Sequence, residues 1–141
     1  MAKIIRASVL VTLALALTAL AFAQKLPKYD KTAEVKINTV VDDVKTTTAD
    51  NGQARIYLVV KDGGQSIDVY VAPKAFIDDM TAEFAKGEKV EITGVKSQDG
   101  DKTLMLAREI VQGNNTLVLR DKTGEPVWAW MEKKNSTAEG K

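Results

Sequence analysis

Arg55, Tyr57, Lys61, Asp68 and Tyr70 are the residues whose types and spacing best suit recognition chemistry. Two phenol rings with neighbouring guanidinium and ammonium groups can stack on bases or sugars and contact phosphate. Asp68 in the same set opposes an anionic ligand. Trp128 and Trp130, two residues apart, form a second set. If residues 127–131 are extended, both rings face one way. One is then expected to pack on the domain as a lid, and the other to stand out as a candidate anchor for a partner.

Catalytic chemistry has less to work with. The chain holds no Cys and no His, which removes the usual zinc and copper ligand sets, haem attachment and the Ser-His-Asp and Cys-His nucleophile systems. Asp42-Asp43 and Asp78-Asp79 are the carboxylate pairs. On a strand, neighbours point to opposite faces, and on a helix they diverge by about 100°. Neither pair is set to converge across a cleft as glycoside hydrolysis requires. Asp99-Gly100-Asp101-Lys102-Thr103 begins like a calcium loop, but Leu104 occupies the position that needs Gly. Gly63-Gly64 reads as a hairpin turn and not as a phosphate loop. The expectation is a non-enzyme without cofactor or metal.

The elements that must position these residues follow from periodicity. Residues 1–23 carry Lys3 and Arg6, an uncharged run over 7–20, and Ala21-Phe22-Ala23 before Gln24. This is the layout of a cleaved signal peptide; the run falls short of the roughly 20 apolar residues of a membrane span. A periplasmic or secreted product of about 118 residues is expected, with no stable membrane insertion after cleavage. Without Lys3 and Arg6 it has 18 basic and 19 acidic residues, a formal charge of −1. That charge supplies no bulk field for phosphate binding.

Residues 24–32 read as a leader, and 33–131 as the folded domain. Residues 33–44 alternate, with Val35, Ile37, Thr39 and Val41 on one face. A polar loop over 45–54 follows. Residues 55–61 place Ile56, Leu58 and Val60 opposite Arg55, Tyr57 and Lys61. Asp62-Gly63-Gly64 turns the chain, and 66–71 return with Ile67, Val69 and Val71 opposite Asp68 and Tyr70. Pro73 opens a helix bearing Phe76, Ile77, Met80 and Phe84, with Gly87 as its stop. Residues 89–96 alternate around Gly94, where a bent strand has no room for a side chain. After the turn 97–102, residues 103–111 form another strand. Residues 116–131 read as a hairpin-like extension, and 132–141 as a disordered tail.

Five strands with one helix between the third and fourth is the plan of an all-β, OB-fold-type barrel. Gly87-Glu88-Lys89-Val90-Glu91-Ile92-Thr93-Gly94, Ala107-Arg108-Glu109-Ile110 and Leu119-Arg120-Asp121-x-x-Gly124-x-Pro126-x-Trp128 resemble a group of small exported bacterial OB-fold proteins. The resemblance implies an envelope OB barrel with a binding or accessory role. In such folds the outer face of the second and third strands, flanked by the loops after strands 1 and 4, holds the ligand. Here that face carries Arg55, Tyr57, Lys61, Asp68 and Tyr70. Its expected partner is a small ligand or an envelope protein; single-stranded nucleic acid is the alternative.

Overall fold

The computed structural model describes residues 26–131. The expected signal peptide and tail lie outside the described residues. The β-branched run after the leader forms β1 (Glu34–Thr48), and β2 (Ala54–Asp62), β3 (Gln65–Pro73), β4 (Lys89–Asp99), β5 (Lys102–Gln112) and β6 (Asn115–Val118) follow. One helix, α1 (Lys74–Asp79), sits between β3 and β4.

β1 serves two neighbours. Residues 34–40 pair antiparallel with β4, and the stretch from Val41 onward pairs with β2. A register shift between Val41 and Asp43 marks the change, which is how a bulge bends a long strand. β2 pairs with β3, β4 with β5, and β3 closes on β5 in parallel through Asp68↔Leu104, Val69↔Met105 and Tyr70↔Leu106. The circuit β1-β2-β3-β5-β4-β1 is a closed five-stranded OB barrel. β6 adds a sixth strand along the far end of β5, pairing Glu109↔Val118 through Gln112↔Asn115. The interior is aliphatic: Leu58, Val60, Val69, Ile92, Met105 and Ile110 are fully buried.

Three boundaries differ from the sequence expectation. The first strand runs on through Thr48, because its Thr-rich end pairs with β2 (Thr46↔Ile56, Thr48↔Ala54). Likewise Ser97–Asp99 and Lys102 belong to β4 and β5, so the two loops expected to flank the ligand face shrink to tight turns over 49–53 and 100–101. The helix stops at Asp79 and does not reach Gly87, since Thr81 takes a positive φ of 51°, which no α-helix continues through. Phe76 and Ile77 are buried, and α1 rests on β2 and β3.

Candidate functional site

From Tyr57 to Lys61 the hairpin β2–β3 keeps the alternation expected of it, and a register shift between Ile56 and Tyr57 interrupts it beyond. Leu58↔Val69 and Val60↔Ile67 share one face, while Tyr57↔Tyr70, Val59↔Asp68 and Lys61↔Ser66 share the other. The exposure of the second face is where the expectation fails. Tyr57 and Tyr70 are 8% and 3% exposed, inside the hydrophobic core cluster. Their rings pack at 5.3 Å and 54°. Trp128 lies edge-on to Tyr70 at 6.2 Å and meets Phe76 at 5.4 Å. The Arg55 guanidinium carbon stands 5.8 Å from the Tyr70 ring centre. Trp128, from the chain's own C-terminal extension, covers Tyr70, and Tyr57 packs against that ring.

The candidate set therefore splits. Lys61 and Ser66 are exposed, and Arg55, Val59 and Asp68 are half-buried, so an open strip remains beside the covered rings. Lys45 from β1 reaches Asp68 at 3.4 Å, an exposed pair of little energetic weight. At the turn end of the hairpin, Gln65 and Gln98 both donate to the Thr103 hydroxyl (3.4 and 3.0 Å), and Lys96 pairs with Asp62. The β4–β5 turn thus borders the β2–β3 turn, and the β1–β2 turn lies at the opposite end of β2.

Trp128 and Trp130 do not share a face. Residues 129–131 form a helical turn, with Met131 N–H donating to the Trp128 carbonyl at 2.9 Å, which rotates successive side chains apart. Trp128 is 2% exposed and Trp130 58%. The lid and the candidate anchor are therefore Trp128 and Trp130 respectively.

The cover is pinned by Arg108, Arg120, Asp121 and Gly124, which stood in the sequence motifs, and by Tyr29 and Glu34, which no local pattern marked. Asp121 Oδ1 accepts from the Thr123 hydroxyl and amide and from the Glu125 amide; the Thr123 hydroxyl chiefly lowers its pKa. Gly124 has φ 91°, and its α-carbon faces Tyr29 so closely that a Cβ would come within 2.5 Å of that ring. Arg120 donates to the Gly124 carbonyl at 2.9 Å and lies between Tyr29 (5.3 Å) and Trp128 (5.7 Å). Tyr29 in turn donates its hydroxyl to Glu34, which Arg108 grips bidentately at 2.7 and 2.9 Å. Hydrogen bonds from Arg108 hold the Glu34 carboxyl below its ordinary pKa. Burial, then the bond to Glu34, pushes the Tyr29 phenol well up.

A separate cleft of about 690 Å³ opens between the segment after α1 and the β5–β6 hairpin, lined by Met80, Glu83, Glu88, Gln112, Asn115 and Leu117. Gln112 closes one wall by donating to the Glu83 carbonyl and to Glu88. Among the described residues, His, Cys, Asp and Glu form no group of three or more able to hold a metal ion.

Residues 33–117 match the MamS/MamX magnetosome protein family. The chain belongs to that family. The matched region of this MamS/MamX-family chain runs from the start of β1 into β6 and so contains the whole barrel. No curated protein matches it significantly. Among solved structures it is similar to the second OB-fold domain of replication protein A from Methanococcus maripaludis (21% identity, TM-score 0.42, 58% of this chain and 85% of that one). It is also similar to a mitochondrial single-stranded DNA binding protein from S. cerevisiae (14%, 0.44, 63% and 98%). A third is a replication protein A heterotrimer bound to ssDNA (15%, 0.40, 71% and 73%). The OB assignment rests on the strand circuit and its closure.

Proposed function

We propose that this MamS/MamX-family chain is an exported, non-catalytic OB-fold binding module that serves the magnetosome. It engages a partner protein or small ligand through the open strip of the β2–β3 face, Arg55, Val59, Lys61 and Asp68. The family match over the whole barrel carries this reading. Export is supported by the signal-like residues 1–23. A non-catalytic role is supported by the absence of His and Cys and by how the carboxylates are engaged: Asp78 pairs with Lys74 at 2.7 Å, and Asp43 accepts from the Val44 amide at 2.9 Å. Single-stranded nucleic acid, the alternative the fold permits, is disfavoured by the near-neutral charge, −1 once Lys3 and Arg6 are set aside.

Co-sedimentation with isolated magnetosomes tests the proposal. The wild-type chain is expected to pellet with them, and a Lys61→Glu/Asp68→Lys variant with unchanged melting to stay in the supernatant. Equal pelleting of the two removes the strip as the contact. Binding to a single-stranded oligonucleotide that falls steeply with added salt points to the nucleic-acid alternative instead.

A further inference from the structure

The covered part of the hairpin face differs from the open strip in one respect: its cover comes from outside the family region. Tyr57, Tyr70 and Phe76 lie within residues 33–117, whereas Tyr29, Arg120, Gly124 and Trp128 all lie beyond it. The cover has few backbone ties to the barrel. Residues 119–131 attach to β5 by two backbone bonds, from the Leu119 and Arg120 amides to the Arg108 carbonyl (2.8 and 3.2 Å). Among the described residues, the backbone bonds from Asp121 onward close within 119–131 itself: Asp121 to Glu125, Gly124 to Asp121, Val127 to Leu119, Ala129 to Pro126, and Met131 to Trp128. Among the described residues, side chains hold the rest down: the Trp128 indole against Tyr70 and Phe76, and Arg120 and Gly124 against Tyr29. Segments with few backbone ties to the body open at a lower free energy than the body unfolds.

We propose that residues 119–131 are a releasable strap that occupies an aromatic docking shelf of the barrel in cis. The shelf is Tyr70 and Phe76, with Tyr57 packed behind Tyr70, and the strap's own indole shows what it accepts: a turn or short helical segment presenting one aromatic ring. Release of the strap opens the shelf to such a segment from a partner protein, beside the charged strip of the proposed binding face. Strap release is read without any partner, so its failure is distinct from failure of that face.

The full chain carrying Trp130→Phe leaves Trp128 as its single indole, because the sequence has two Trp. Under a urea titration, the Trp128 emission is expected to shift to the red at a lower urea concentration than the loss of the far-UV strand signal. Coincident midpoints overturn the proposal, since the strap is then part of the cooperative core. A labelled synthetic peptide of residues 119–131 supplies the second arm. It is expected to bind full-chain Trp128→Ala, whose shelf lacks its indole, at least about tenfold more tightly than wild type. Equal affinity, or no binding to the variant, overturns the shelf. Loss of the strand signal in Trp128→Ala overturns it too, because a releasable strap cannot be required for the barrel.

Discussion

Gly94→Ala is the most exacting substitution the barrel offers. Gly94 stands at the register shift of the β4–β5 ladder, paired with Ala107. A Cβ placed there would sit 2.1 Å from the Leu106 carbonyl oxygen and 2.9 Å from its carbon. An ordinary carbon–oxygen contact needs about 3.3 Å, so the two strands must part by about 1 Å. The obstacle is backbone and cannot rotate away. Overpacking of this kind costs about 1–3 kcal/mol, and each ladder bond stretched beyond reach adds about 1 kcal/mol. The small gain from a stiffer unfolded chain offsets about 0.5 kcal/mol. A net loss of about 3 kcal/mol is expected, or a fall in Tm of about 12–20 °C for a domain of this size. Urea and thermal unfolding followed by far-UV circular dichroism measure it. A variant within about 1 kcal/mol of wild type would show that β4 and β5 are not apposed as described.

Further substitutions probe the clasp and the covered face. Tyr57→Ala is expected to cost about 3 kcal/mol in urea unfolding, because the ring is core; a near-neutral result would return it to the open face. Gly124→Ala strains a positive φ and pushes on Tyr29, so a loss of about 1–2 kcal/mol is expected, and Tyr29→Ala should relieve part of it. The folded Glu34 has a lowered pKa, so its contribution is present above the unfolded value of about 4.3 and disappears as pH falls below it. Glu34→Gln should therefore be less stable than wild type at neutral pH and converge with it in acid; parallel pH profiles would contradict the clasp. Trp130→Ala, at 58% exposure, should leave Tm nearly unchanged, and a large drop would place that ring in the core.

Local pattern carried the strands well. Alternation in residues 55–61 and 66–71 placed Leu58, Val60, Val69 and Tyr57 on the faces they occupy, and Asp62-Gly63-Gly64 fixed the hairpin between them. Gly94 was legible as the place where a side chain would not fit. What alternation cannot report is whether the second face of a hairpin meets water. That depends on Trp128, 58 positions further on than Tyr70 in the sequence, and on whether the chain turns back. The Glu34–Arg108 clasp spans 74 positions; Arg108 stood in a recognisable motif, yet nothing local paired it with Glu34. The early end of α1 turned on Thr81, an ordinary helix residue by composition that takes a positive φ.

Partner capture at defined positions on the barrel tests the binding face most directly. A photo-crosslinking residue at Lys61, on the open strip, and another at Lys89, on the β1–β4 side, would each be exposed to isolated magnetosomes and irradiated. Binding through the β2–β3 strip predicts a discrete adduct from position 61 that disappears in the Asp68→Lys background, and none from position 89. Adducts from position 89 alone would place the contact on the other side of the barrel and contradict the account.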